Sequence, residues 1–251
     1  MPTEKEGQML IFEVNNPLTG EWNKDQGDVE KIATQSTSAD KFYKHVRVIE
    51  ALFHKLTYGT PSAPDYPQRK GLIRKVHDEL YPIAFFSKLY FALSPKVLIT
   101  WHKGNQNFDA AVKDQRSGSC QSNIHYLEVT TLQDETDANQ LKQLSEKGSI
   151  IIEGNLVQEN HERKIELLRK ALEKKGSKKY PENTALLIYT DEDRFHHCFG
   201  ISPPPINKTG DFEAVLRDMK DLLRSFSHVF VYSKNEIYCM FQPHTESSNA
   251  D

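Results

Sequence analysis

The 251-residue chain has only three cysteines, Cys120, Cys198 and Cys239, and no two of them form a CxxC pair. Thiols that are few, odd in number and far apart exclude a disulfide framework and a zinc ribbon, and fit a reducing compartment. Long apolar runs are also missing. A membrane-spanning helix needs roughly 18–20 consecutive apolar residues. The richest stretch, "YPIAFFSKLYFAL" (Tyr81 to Leu93), is shorter and carries Lys88, so it reads as a buried helix. The opening "MPTEKEGQMLIFEV" lacks the basic segment and apolar core of a secretory signal. The glycines are too scattered to form a P-loop or a GxGxxG turn, so nucleotide binding has no positive support. Neither sign of charge dominates: 32 Lys and Arg stand against 35 Asp and Glu, a net −3. Any basic surface that attracts nucleic acid must therefore be local. "RFHHCFG" (Arg194 to Gly200) brings His196, His197 and Cys198 together. Adjacent histidines on a strand point to opposite faces and no second ligand pair is suitably spaced, so no zinc site is expected. The chain reads as soluble and cytoplasmic, without a membrane partner.

Hydrophobic residues make up 37% of the chain and charged ones 27%, which is polar but sufficient for a core. From Ala39 to Leu56, apolar residues recur at three- and four-residue spacing through Phe42, Val46, Ile49 and Phe53, which predicts an amphipathic helix. "TYGTPSAPDYP" then predicts a loop, and a second helical region spans Gln68 to Leu93 with a break or kink at Pro82. Three strands are expected at Lys96–Trp101, Asn107–Lys113 and Ile124–Thr131. Helices are expected next at Asp137–Lys147 and Asn160–Lys175. The run "TALLIYT" (Thr184 to Thr190) has the length and composition of a strand buried on both faces. A helix over Asp211–Phe226 and a hairpin turning at Ser233–Asn235 complete the pattern. The fold class is α/β, a central mixed sheet flanked by helices. One domain over 1–251 is expected: an N-terminal extension (1–38), a core (39–190), a C-terminal helix and hairpin (191–242) and a flexible tail (243–251).

Two apolar runs each contain one acid: Asp109 in "FDAAV" and Glu128 in "YLEVT". Acids are depleted from strands, and a buried charge finds a cation or shifts its pKa. Side chains alternate across a strand, so Asp109 shares a face with Ala111 and Lys113, and Glu128 with Tyr126 and Thr130. A hairpin that sets Asp109 near Glu128 brings two carboxylates to one side of the sheet. They repel unless a cation lies between them, and hard divalent ions suit such oxygens. In the alternative, each acid sits at a strand end in solvent.

The acid on one strand, "EVT" on the next, then a helix and a further strand resemble the PD-(D/E)xK, or restriction-endonuclease-like, nuclease superfamily. In that fold a helix precedes a three-stranded meander, and a helix and fourth strand come after it. The resemblance covers roughly Phe42 to Thr190. It implies Asp109 and Glu128 as the motif acids and as ligands of Mg²⁺ or Mn²⁺. It also implies the Val129 carbonyl as a ligand and Glu50 as a further acid from the first helix. The lysine position of the motif is Thr130, whose hydroxyl can bond a water but supplies no positive charge. Lys113 and Lys142 are the candidates to replace it.

The segment "HERKIELLRKALEKKGSKKY" (His161 to Tyr180) has eight Lys and Arg against three Glu. Arg163, Lys164, Arg169, Lys170, Lys174 and Lys175 are therefore candidate contacts to a DNA or RNA backbone. The same charges also suit an ordinary solvated helix face. Two functions are expected from this reading: a divalent-metal-dependent nuclease, or a nuclease-fold protein that lost its chemistry and binds nucleic acid or protein. A third is an interaction protein whose two acids never meet.

Overall fold

In a computed structural model of the chain, the described residues are 27, 30–31, 34–59, 74–104, 106–133, 156–190 and 206–244, with backbone alone for 50–59 and 156–157. The expected helix at Asp137–Lys147 with Lys142, the "RFHHCFG" segment and nearly all of the N-terminal extension and the tail lie outside them.

Among the described residues one seven-stranded sheet runs in chain order, β1 to β7. β1 (Thr37–Ser38), β2 (Val97–Trp101), β3 (Ala110–Asp114) and β4 (Tyr126–Thr131) pair antiparallel in succession. β5 (Thr184–Tyr189) lies parallel to β4, and β6 (His228–Tyr232) parallel to β5. β7 (Ile237–Phe241) closes the sheet as the antiparallel arm of the expected hairpin. The C-terminal helix and hairpin are thus continuous with the core sheet.

Helices cover both faces. α1 (Ala39–Gly59), a π-helical turn (Val76–Leu80) and α2 (Tyr81–Leu89) bury Phe42, Ile49, Val76, Leu80, Ile83 and Phe86 against Ile99, Leu127 and Phe230. On the opposite face α3 (Leu156–Gly176), α4 (Lys208–Asp218) and a 3-10 turn (Lys220–Leu223) bury Leu168, Leu172, Phe212 and Leu216 against Leu186, Ile188 and Val229. β5 faces both cores: Ala185 and Leu187 enter the first, Leu186 and Ile188 the second. This is why its sequence is an unbroken apolar run. No helix of the described residues is long and apolar enough to cross a membrane.

Two local features position Glu79 and Lys175. Where a break or kink was expected at Pro82, the backbone stays helical and widens into a π turn just before it. Tyr81 N–H bonds the Val76 carbonyl, five residues back. Proline has no N–H to continue the ordinary ladder, and a π turn absorbs the mismatch by adding a residue. The turn carries Glu79. At the end of α3, a Cβ on Gly176 would meet the Leu222 carbonyl oxygen at 2.6 Å, so only glycine allows this approach to the 3-10 turn. That contact fixes the last turn of α3, and Lys175 with it. The helix expected at Asp211–Phe226 is in fact α4 and then the 3-10 turn, with Met219 between them.

Candidate active site

The regular β3–β4 ladder ends at Ala110, which pairs with Leu127. Asp109 lies one residue before β3, and its N–H also bonds the Leu127 carbonyl, at 2.8 Å. The register therefore slips at the acid, and simple strand alternation does not describe it. What aims its side chain is a hydrogen bond: Asp109 Oδ2 accepts from the Val129 N–H at 2.7 Å. Glu128 sits in the middle of β4, beside Leu186 in the parallel register, and so on the α3 face of the sheet. The residue is only 6% exposed. The two acids meet.

The cation beside them is Lys175. Its Nζ donates to Glu128 Oε1 at 2.5 Å and to the Val129 carbonyl at 3.0 Å. Both side chains of the pair are largely shielded from water, which strengthens the attraction relative to a surface pair. The Tyr180 hydroxyl lies 3.5 Å from the same Glu128 oxygen, and its ring packs on Phe226 at 4.5 Å between centroids. Burial, and then the Glu128 charge, pushes the Tyr180 hydroxyl up, so it remains a proton donor.

A third acid acts from the opposite face. Glu79, on the π turn, accepts from Trp101 Nε1 at 2.8 Å and lies 3.7 Å from Lys75 Nζ. Burial raises its pKa, and the Trp101 and Lys75 contacts offset part of that rise. Asp109 feels the whole arrangement. Burial first, then the charges of Glu128 and Glu79, push its carboxyl from the ordinary 3.8 to about 7. The Val129 N–H and Lys175 only partly offset this.

The sign of the pH effect is set by that rise. A carboxyl whose pKa is higher in the folded state binds more protons folded than unfolded between pH 3.8 and about 7. In that window stability falls as pH rises, and the full penalty is present above about 7. Asp109→Asn removes the charge and keeps an oxygen for the Val129 N–H. The metal-free variant should therefore melt higher than wild type at pH 8, by up to about 4 kcal/mol from a shift of this size, and nearly the same at pH 4. Thermal melts from pH 4 to 8 in EDTA check this; a variant less stable than wild type at pH 8 would contradict the crowding of the acids.

The other candidates from sequence fall in different places. Thr130 is half-buried beside Ile188 and carries no charge. Lys113 is exposed, with Leu98 as its register partner. It stands four residues along the strand from Asp109, about 13 Å at ~3.3 Å per residue. Among the described residues the ammonium at Glu128 is that of Lys175, which was expected to contact nucleic acid instead. Lys164 likewise is not a surface contact: it is 1% exposed and its Nζ bonds the Leu132 carbonyl. Arg163 bonds Asn160 Oδ1, and Arg169 reaches Asp218 at 3.5 Å. Lys170 and Lys174 are exposed, one helical turn apart. Glu50 lies within α1, and its side chain is outside the described residues.

Among the described residues no three His, Cys, Asp or Glu side chains form a ready-made metal cage. A hard divalent ion does not require one, since Mg²⁺ and Mn²⁺ sites commonly use one or two carboxylates with carbonyl and water oxygens. The donor set fits such an ion: Asp109, Glu128 and the Val129 carbonyl are all oxygens, and the carboxylates carry more charge than Lys175 alone offsets. The chain matches no protein-family model, no curated protein and no solved structure.

Proposed function

We infer that this chain is a divalent-metal-dependent phosphodiesterase acting on nucleic acid, of the PD-(D/E)xK kind, with its lysine supplied from a helix. The observation that carries the reading is the convergence of Asp109, Glu128, the Val129 carbonyl and the Lys175 ammonium at one end of β3 and β4. The motif places a cation two residues after its second acid, where this chain has Thr130. Lys175 brings the same charge to the same carboxylate from 47 residues away. The element order of helix, three-stranded meander, helix and parallel strand supports the same reading. A binding module without chemistry draws its main support from Thr130, and the Lys175 ammonium at Glu128 weighs against it.

Asp109, Glu128 and the Val129 carbonyl would hold Mg²⁺ or Mn²⁺, and Glu79 adds negative charge from the other face. Such an ion lowers the pKa of a bound water and polarises a phosphoryl oxygen. In hydrolysis the water oxygen forms the new P–O bond, the bond to the leaving oxygen breaks, and the proton lost by the water balances the one the leaving oxygen gains. The Lys175 ammonium, hydrogen-bonded to Glu128, offsets the negative charge that builds on the phosphate. The Val129 N–H fixes the orientation of Asp109. Tyr180 holds Glu128 through its hydroxyl.

The test is an assay of the purified chain on single- and double-stranded DNA and RNA with Mg²⁺ or Mn²⁺. Cleavage that requires the ion and stops in EDTA is expected. Salt-sensitive binding with no cleavage under any condition would favour the binding module instead.

A further inference from the structure

Three half-buried rings flank the acids. Phe108 immediately precedes Asp109, and its ring lies 4.6 Å from that of Tyr126 and 5.3 Å from that of His102, between centroids. Tyr126 stands two residues before Glu128 on the same face of β4 and pairs with Thr184. The rings are joined to a basic loop. Asn107 Nδ2 donates to the Lys179 carbonyl at 3.0 Å, which ties the Phe108 segment to the residues just after Lys175. Lys174, Lys178 and Lys179 are exposed there, with Glu173 and Glu182 the acids among them. Aromatic faces beside lysines are the means by which proteins hold unpaired bases while tracking the phosphates. A base inside a duplex is stacked on its neighbours and offers no free face to a protein ring.

We propose that the His102–Phe108–Tyr126 cluster is a stacking platform for an unpaired base next to the scissile phosphate, so that the substrate is a single strand or a frayed end rather than an intact duplex. This rests on the nuclease reading of the neighbouring acids and names the substrate class of that site. Phe108 is the central ring, in contact with both others, and Lys178 and Lys179 hold the adjoining backbone.

Binding separates base from phosphate without needing catalysis. The probes are fluorescein-labelled single-stranded DNA and RNA 12-mers, an abasic strand of the same length and a hairpin duplex, with affinity read by anisotropy in Ca²⁺. Wild type should prefer the single strand to both the abasic strand and the duplex. Phe108→Ala should weaken the single strand about tenfold, as expected for one stacked base, and leave the abasic strand unchanged. Phe108→Leu keeps the apolar bulk and should reproduce the loss, which separates stacking from misfolding. The Lys178→Ala, Lys179→Ala double variant should weaken all probes alike and flatten the salt dependence. Duplex bound as tightly as single strand, or equal losses of base-bearing and abasic strands in both Phe108 variants, would overturn the platform while leaving the nuclease reading intact. Failure to bind any probe, together with no metal-dependent cleavage, would overturn both.

Discussion

Lys175→Ala should slow metal-dependent cleavage by about 10²–10³-fold, the usual effect of removing one charge-stabilising group from a phosphoryl or acyl transition state. Lys113→Ala should leave the rate within about twofold of wild type, because Lys113 lies exposed along the strand and Lys175 touches Glu128 directly. Replacing Lys175 should have the opposite effect on ion binding. Its ammonium occupies Glu128 Oε1 and the Val129 carbonyl, two of the oxygens a divalent ion would use. Without it the acids repel more strongly, so the metal-free variant should melt lower than wild type and gain more from added Mn²⁺. Slower catalysis combined with tighter ion binding distinguishes a catalytic cation from a residue that merely holds the fold. If Lys113→Ala lost activity and Lys175→Ala kept it, the assignment of the motif cation would be wrong.

Glu128→Gln should reduce cleavage further, by about 10³-fold or more, since losing the ion forfeits several kcal/mol of transition-state stabilisation. The variant should still fold. Breaking a shielded ion pair normally strands the remaining charge at a cost of about 3–5 kcal/mol. Here Asp109 lies within electrostatic reach of Lys175, and removing the Glu128 charge removes one of the causes that raise its pKa. With that charge gone the Asp109 pKa falls toward its ordinary value, and its carboxylate offsets part of the Lys175 charge. Circular dichroism at pH 7 should therefore match wild type while single-turnover cleavage is lost. Retained cleavage in this variant would remove Glu128 from the site.

The sheet, the three meander strands and the doubly buried β5 were legible because local periodicity and burial agree there. The proximity of Asp109 to Glu128 was read from strand alternation, which describes only one of the two acids. Alternation does place Glu128, but Asp109 stands where the register slips, and a side-chain bond to the Val129 N–H aims it. Lys175 was visible only as one lysine in a basic helix. Its position depends on how the end of α3 docks, through Gly176 against Leu222, and nothing local in the sequence encodes that contact. Glu79 was missed for a different reason. The π turn adds a residue to one helical turn and rotates the side chains beyond it, so a count at 3.6 residues per turn assigns the wrong face. Pro82 was the available signal, and it was read as a break or kink. Glu50 was named from the resemblance, and its side chain lies outside the described residues.

Calorimetric titration with Mn²⁺ addresses the centre of the account most directly, because it requires the acids to act together and requires no substrate. Wild type should bind the ion with a stoichiometry set by one site, Asp109→Ala and Glu128→Ala should each abolish that binding, and Lys175→Ala should tighten it. Unchanged Mn²⁺ binding in both acid variants would contradict the metal site and the nuclease reading built on it.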